Sequence, residues 1–217
     1  GSRFERLTHQ AYELTDDNGS RDLQQQFNLF SWSVGAVYQL QSEQQLTLAF
    51  SQAERAPAAN ELYANGIHIG TRSYEIGVAY QVAAESTGAS IRHDAALATA
   101  ERANNLDLGW RGQFADVRTN INLFYNQIDN YAFLANLGFQ NAGFDVYQYQ
   151  QQDARLHGAE ASISWQLTPE HQLTVLGDTV VARLRSGGYL PRVPSFRLGA
   201  EYEYRADNWA GQLGLTH

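Results

Sequence analysis

Chemically reactive side chains are concentrated in residues 54–75, directly after a clean strand pattern. This run contains two tyrosines, three glutamates and one histidine, and it is interrupted by Pro57, Gly66 and Gly70. A long polar segment of this content is typical of a binding loop rather than a plain connection. His68 lies between the two glycines, whose backbone freedom allows its imidazole to be directed at a ligand. Because imidazole binds zinc and haem iron, His68 is a candidate metal ligand.

A second candidate lies at His93 and Asp94, where an imidazole and a carboxylate are neighbours in the chain. A carboxylate in this position either binds a metal itself or orients the ring that does. Since zinc accepts nitrogen and oxygen ligands together, nearby acidic residues would complete the site. The predicted metal ligands are His68, His93, Asp94, Glu61 and Glu75. The competing interpretation is that His68 is an exposed loop residue without a ligand. The strand and turn histidines are interpreted as structural or solvated: His9, His157 and His171.

Composition narrows the class of protein. The chain has 217 residues, a net charge of −8 and no cysteine. The acidic balance argues against a nucleic-acid partner, because phosphate binding needs clustered lysine and arginine. The lack of cysteine excludes disulfides and thiolate sites. No nucleophile-elbow, zincin or phosphate-loop motif is present, so we predict a protein that is not an enzyme and requires no cofactor. The absence of methionine indicates a piece of a longer protein.

Period-two alternation of apolar and polar residues dominates the chain. In residues 195–205, for example, Phe196, Leu198 and Ala200 alternate with Arg197 and Glu201. Such alternation predicts strands with two different faces, and no helix-period segment competes with it. The chain is therefore predicted to be all-β, with nine strands at residues 3–14, 23–40, 45–53, 102–113, 117–130, 155–167, 171–184, 195–205 and 209–217.

The connections between these strands alternate in length. Short turns are predicted at residues 41–44, 114–116, 168–170 and 206–208, and longer connections at 15–22, 54–101, 131–154 and 185–194. An antiparallel up-and-down meander gives this alternation when one rim carries turns and the other carries functional loops. Several strands are long enough to cross a bilayer, which favours a transmembrane β-barrel. A soluble sandwich shows the same alternation, but its apolar faces point inward, whereas those of a membrane barrel point outward to lipid. The sequence leaves open which face points inward.

The predicted connection at residues 131–153 is rich in aromatic side chains set among glutamine and asparagine. Two interpretations of these side chains are open. They stack on a flat ligand such as haem or an aromatic siderophore, or they pack as a folded surface loop. The residues concerned are Tyr131, Phe133, Phe139, Phe144, Tyr147 and Tyr149.

Four separate motifs resemble those of TonB-dependent outer-membrane receptors and occur in that family's order. The first begins with Arg55-Ala56-Pro57, continues through Glu61-Leu62-Tyr63, and ends with Gly66-x-His68-x-x-Thr71-x-x-Tyr74-Glu75. The second is a run at residues 101–109 that begins Glu101-Arg102-Ala103-Asn104-Asn105. The last two are Leu156-His157-Gly158-Ala159-Glu160 and Leu190-Pro191-Arg192-Val193-Pro194. Together these motifs span most of the chain.

The resemblance implies a fragment of a 22-stranded transmembrane barrel in the outer membrane of a Gram-negative bacterium. Residues 1–217 would form part of that barrel, surrounded by outer-membrane lipid, and residues 54–101 would be a long extracellular loop. The plug domain, through which such receptors contact the TonB complex, is absent from these residues. The ligand-binding loop would also include Tyr63, Tyr74 and Arg72.

The implied function is uptake of a metal or metal chelate bound by the extracellular loops. Zinc is favoured as the ligand because zinc-uptake members carry a similar G-x-H motif, with haem or a ferric siderophore next. The chain departs from the family pattern after Gly77, where an insertion separates it from Asp94-Ala95-Ala96-Leu97, and we predict a separate short hairpin or helix there. The alternative function is that of a soluble all-β binding or structural module without a role in transport.

Overall fold

A computed structural model describes residues 1–14, 20–86, 88–191, 193–194 and 196–217. Most of this part of the chain is strand. In chain order the elements are β1 (Ser2–Leu14), β2 (Ser20–Gln41), β3 (Gln44–Arg55), α1 (Ala59–Tyr63), β4 (Asn65–His68), β5 (Ser73–Ile76), β6 (Tyr80–Glu85), β7 (Gly88–His93), a short 3₁₀ helix (Ala95–Leu97), β8 (Glu101–Phe114), β9 (Val117–Asn141), β10 (Phe144–Thr168), β11 (His171–Leu184), β12 (Phe196–Ala206) and β13 (Trp209–Thr216).

Nine long strands form one antiparallel meander, as predicted. Their order is β1-β2-β3-β8-β9-β10-β11-β12-β13, so each long strand pairs with the next one along the chain. The four predicted tight turns are confirmed at residues 42–43, 115–116, 169–170 and 207–208. These turns share one end of the sheet, which we call the turn rim, and the opposite end is the cap rim. The predicted connection at 15–22 falls mainly on residues 15–19, which lie outside the described residues.

The long connection predicted at residues 131–154 is wrong, because β9 and β10 continue through it as a paired hairpin. Tyr131 pairs with Gln152 and Phe133 with Gln150, so aromatic and amide side chains meet across the two strands. The hairpin closes at Ala142 and Gly143, whose φ angles of 51° and 81° match a two-residue type I′ turn. Four of the six aromatic side chains pack against buried apolar clusters, which agrees with the packing interpretation for Tyr131, Phe133, Phe139 and Tyr149.

The two faces of the sheet differ sharply in polarity. On the apolar face, Phe50, Leu106 and Tyr125 are successive cross-strand partners, and all three are exposed. On the polar face, Glu160 pairs with Asn122 and with Asp178 in the same manner. Large hydrophobic residues along the apolar face reach 80% exposure, far more than water-soluble domains leave uncovered. This distribution is that of a barrel wall with lipid on one side and a wet interior on the other.

Residues 56–100 fold into a compact unit that we call the cap. It contains α1, the β4–β5 hairpin, the β6–β7 hairpin and the 3₁₀ helix. The predicted hairpin after Gly77 is confirmed as β6–β7, in which Tyr80 pairs with His93. β5 joins the main sheet by pairing in parallel with the extended part of β10, from Ser73 opposite Asp145 to Ile76 opposite Gln148. None of the helices in the described residues is long and apolar enough to cross a membrane.

The buried core lies between the cap and the polar face of the sheet near the cap rim. Leu62, Val78 and Ala79 of the cap pack against Phe27 and Leu29 of β2. A second cluster joins the cap to β2 and β10 through Leu23, Ile76, Tyr80 and Val146. These β2 residues lie opposite the exposed Phe30 and Val34 on their strand, because successive side chains of a strand alternate between faces. The cap therefore covers the interior side of the wall.

Candidate functional site

Arg55 anchors the cap to the wall at the point where the chain leaves β3. Its guanidinium donates Nε to Glu101 Oε2 at 2.9 Å and Nη2 to Glu101 Oε1 at 2.7 Å, a bidentate pair. The same guanidinium donates Nη1 to Glu61 Oε2 of α1 at 2.8 Å. The hydrogen bonds to Glu101, opposed by partial burial and reinforced by Glu61, raise the pKa of Arg55 above its ordinary value. Glu61, a predicted metal ligand, is thus held in this ion-pair network.

Gly77 directly follows β5 and lies close against the backbone of α1. Its N–H donates to the Ala64 carbonyl at 2.7 Å, and the next N–H donates to the Glu61 carbonyl at 2.8 Å. A Cβ placed on Gly77 would lie 2.0 Å from the Leu62 carbonyl oxygen. Only glycine fits there, which explains the last residue of the Tyr74-Glu75-Ile76-Gly77 motif in steric terms.

His68 lies at the tip of the β4–β5 hairpin and is the most accessible of the predicted ligands, with 58% of its side chain exposed. Its Nδ1 lies 2.9 Å from Thr71 Oγ1 and also accepts the Thr71 backbone N–H at 3.2 Å. The Thr71 hydroxyl donates to Glu75 Oε1 at 2.9 Å. In the tautomer with the proton on Nδ1, that nitrogen donates to Thr71 Oγ1 instead of accepting the Thr71 N–H. Nε2 then presents its lone pair to solvent, which is the form that binds a metal.

The Glu75 carboxylate lies on the Nδ1 side of the His68 ring, not on the Nε2 side. Its carboxylate is buried and accepts hydrogen bonds from the Thr71 and Ser73 hydroxyls. The distance from His68 Nδ1 to Glu75 Oε1 is 3.9 Å. This arrangement places Glu75 where a carboxylate orients a ligating imidazole, with Thr71 as the bridge between them.

His93 and Asp94 lie in the β6–β7 part of the cap and have different surroundings. The His93 ring packs 5.4 Å from the Tyr80 ring and 6.2 Å from the Tyr63 ring, and burial lowers the pKa of His93. Asp94 begins the 3₁₀ helix by accepting the Ala96 N–H, and it also accepts a hydrogen bond from Gln81. The five predicted ligands therefore do not form one cluster, and the described residues contain no group of three or more histidine, aspartate and glutamate side chains placed to hold a metal ion.

The structure also places the three other residues that were predicted to belong to the ligand-binding loop. Tyr63 is packed between both cap clusters, and burial raises the pKa of its hydroxyl. Tyr74 donates its hydroxyl to Asn65 across the β4–β5 hairpin, and burial raises its pKa as well. Arg72 lies exposed in the turn of this hairpin with a φ of 54°. Arg72 and His68 therefore lie on the exposed tip, whereas the tyrosines are structural parts of the cap.

We expect the stability of the cap to fall as the pH drops below about 6.5, the ordinary pKa of histidine. The folded cap lowers the pKa of His93, so the unfolded cap binds the proton more tightly. Stability is therefore complete above the unfolded pKa and is lost as the pH falls toward the folded value. Hydrogen-exchange protection of residues 79–94, followed from pH 8 to pH 5, measures this loss.

The His93→Phe variant provides the control, because phenylalanine keeps an aromatic ring between Tyr63 and Tyr80 without a titrating group. Its protection factors should be flat over the same pH range. A slope in the variant equal to that of the unchanged protein would assign the dependence to other groups.

Sequence reasoning missed Arg55, Thr71 and Glu101 as parts of the site. The family-like motif pointed to Arg55 and Glu101, but only the register of β3 and β8 shows that these two residues are direct cross-strand partners. Thr71 is three residues from His68, and the tight hairpin turn brings their side chains together. The spacing alone does not show this contact.

The fold and the site together define a class: a segment of transmembrane β-barrel wall with a folded cap at one rim. The family "TonB dependent receptor-like, beta-barrel" matches residues 1–217. The chain belongs to this family of TonB-dependent receptors, which are receptors rather than enzymes.

Solved structures of the same fold agree with this assignment. The chain is similar to the copper transporter OprC, with a TM-score of 0.71, 15% identity and coverage of 96% of this chain and 30% of that one. It is also similar to the siderophore receptor PirA from Pseudomonas aeruginosa, with a TM-score of 0.62, 16% identity and coverage of 99% and 39%. The ferric enterobactin receptor PfeA of the same organism, as a mutant, gives a TM-score of 0.64 at 16% identity, with coverage of 99% and 32%. The chain thus spans about a third of the length of these proteins.

Proposed function

We propose that the chain forms part of the wall and the ligand-facing cap of a TonB-dependent transporter in the outer membrane of a Gram-negative bacterium. Its cargo is a metal or metal chelate that is captured at the cap rim. The observation that carries this proposal is the exposed His68 imidazole, whose ring is oriented through Thr71 by the buried Glu75. Passage through the barrel would require a plug domain and the TonB complex, in addition to the present residues.

The exposed apolar face supports a membrane location over a soluble module. Leu213 and Leu215 of β13 are 75% and 80% exposed, and Leu48, Leu108 and Leu123 form a continuous exposed row in neighbouring strands. Burying such a face in lipid removes a penalty that a water-soluble protein would bear. Extraction from bacterial membranes tests this point, because the receptor should require detergent. Recovery of monodisperse protein in plain buffer would favour the soluble alternative.

The chemistry of the tip indicates which ligands fit best. One imidazole alone is a weak site for a free ion, whereas zinc usually takes four ligands. We therefore propose that His68 completes the coordination of a metal that arrives with other ligands. Zinc is the first candidate, with haem and ferric siderophores next. The names of similar structures, a copper transporter and siderophore receptors, describe cargoes of the same broad kind.

A ligand titration with the intact receptor in detergent tests the role of His68. Zinc, haem and a ferric catecholate are titrated separately against the unchanged receptor and His68→Ala. We expect the variant to lose at least about 10-fold to 100-fold in affinity for the true ligand, because removing only a partner that orients a ligating imidazole already costs about that much. Thr71→Val should give a smaller loss, because it removes only the hydroxyl that orients the ring.

His171→Ala is the matched control, since His171 packs against Tyr202 and Tyr204 at the turn rim, far along the sheet from the cap. Its affinity should equal that of the unchanged receptor. If all three probes bind His68→Ala as tightly as they bind the unchanged receptor, His68 is not part of the ligand site.

A further inference from the structure

Three arginines cluster on the wall outside the cap, near the cap rim. Arg155 of β10 and Arg183 of β11 are direct cross-strand partners. Together with Arg185 and His157 they line a concavity on the sheet surface. Like charges placed directly opposite each other destabilise a strand pair, so this arrangement is unfavourable unless an anion lies between them.

The cluster lies on the apolar, lipid-side face. His157 pairs with Tyr125, which is the outward partner of Leu106, and side chains two residues apart in a strand share a face. Arg155 is therefore on the same side of β10 as His157, Ile163 and Trp165. The register carries Arg183 to the same side of β11 as Val175. The arginines thus continue the exposed apolar surface rather than the interior surface.

The height of the cluster fits the edge of the hydrocarbon layer. Arg183 is ten residues beyond Leu173, the apolar residue at the turn-rim end of β11. At about 3.3 Å per residue and a tilt of about 40°, these residues cover roughly 25 Å along the barrel axis, the usual height of the apolar band. The guanidinium groups lie where lipid headgroups begin.

The guanidinium groups are held in place without being neutralised. Arg183 lies 4.3 Å from the centroid of the Tyr189 ring and donates to its hydroxyl. Arg155 lies 6.0 Å from the centroid of the Tyr125 ring and has no carboxylate partner among the described residues. Of the nearby acids, Asp153 bonds to Arg185 at 3.3 Å, and Asp129 forms no ion pair with either partner arginine. The guanidinium groups of Arg155 and Arg183 therefore remain available to bind an anionic ligand.

We propose that Arg155 and Arg183 form a site for the phosphate of an outer-leaflet lipid headgroup. Arginine forks match phosphate oxygens in pairs, and a phosphate between the two strands would relieve their repulsion. The lipid's acyl chains would lie along the side of the wall that carries the exposed Tyr125 and Ile163 and the half-buried Val181. The inference rests on the membrane location in the proposed function, but not on the cargo or on His68.

The test uses the intact receptor in detergent and measures lipid binding by native mass spectrometry. Diphosphoryl lipid A, the same lipid with both phosphates removed, and inorganic phosphate are the three probes. We expect the unchanged receptor to bind diphosphoryl lipid A about tenfold more tightly than the dephosphorylated lipid. The Arg155→Gln/Arg183→Gln variant should lose that preference.

Arg102→Gln is the matched control, because Arg102 is on the same face near the same rim but is already paired with Glu54 at 2.8 Å. Its preference for the phosphorylated lipid should be unchanged.

Equal binding of both lipids by the unchanged receptor, or an unchanged preference in the double variant, would overturn the phosphate site. If inorganic phosphate alone displaces the lipid at equal concentration, the site is for free phosphate and the lipid assignment is wrong. If neither lipid form binds, the lipid site is wrong, whereas the membrane location is tested separately by the requirement for detergent.

Discussion

Replacing Arg55 with alanine should release the cap from the barrel wall. The substitution leaves the Glu101 carboxylate, which is only 7% exposed, with the Ala132 N–H as its remaining partner at this site. It also frees Glu61, which otherwise binds Arg55 and the Ala58 N–H at the start of α1. Removing one partner of a fully buried pair costs 3–5 kcal/mol, and we expect about 2–3 kcal/mol here because Arg55 is half exposed.

Hydrogen exchange of residues 56–100 measures this loss directly, since the cap opens locally while the strands of the wall remain paired. Protection should fall in the cap and stay unchanged in β11 and β12. A double variant, Arg55→Ala with Glu101→Gln, should recover part of the loss because the unpaired charge is gone. Arg205→Ala, which breaks the exposed pair with Glu203 at the turn rim, should change stability by less than about 1 kcal/mol. Unchanged cap protection in Arg55→Ala would show that the ion pairs do not hold the cap.

Gly77→Ala should have an effect of at least the same size by a steric route. The added Cβ would meet backbone atoms of Leu62 and Tyr63 at 2.0–2.7 Å, and backbone cannot rotate away as a flexible side chain can. β5 and α1 would have to separate, which breaks the hydrogen bonds from Gly77 to Ala64 and from Val78 to Glu61. We expect a loss of about 3 kcal/mol, at the upper end of typical overpacking costs.

Gly66→Ala serves as the matched control, since a Cβ on Gly66 meets nothing within 4 Å. Both variants add one methyl group to a cap glycine, so a difference between them isolates the contact with α1. Protease sensitivity of the cap and the affinity for the ligand found in the His68 titration should both worsen in Gly77→Ala alone. Equal behaviour of the two variants would contradict the steric account.

Period-two alternation predicted the wall well, because the pattern reports directly which residues share a face. It failed at residues 131–153, where glutamine and asparagine replace the apolar partners and hide the alternation. The Ala142-Gly143 turn was a weak signal, since glycine favours such a turn but alanine is not one of the residues typical of its first position. Which face points inward became clear only from the cap, whose apolar residues pack on the side of Phe27 and Leu29.

The candidate site was less predictable than the wall. Glycines on either side of His68 correctly suggested an accessible side chain, but the partners of the acidic residues depend on contacts between distant parts of the chain. Glu61 is bonded to Arg55, and Asp94 begins a 3₁₀ helix. Neither role follows from residue type, because a carboxylate suits a metal, an arginine and a backbone N–H equally well.

The direct pairing of Arg55 with Glu101 has a consequence for how the receptor can diversify. The cap leaves the wall and returns to it at two residues that face each other across one strand pair. Its length can therefore change without altering the order or the register of the nine long strands of the wall. A different sequence between these two residues would change the surface at the cap rim, where we propose that the ligand binds, and would leave the wall unchanged.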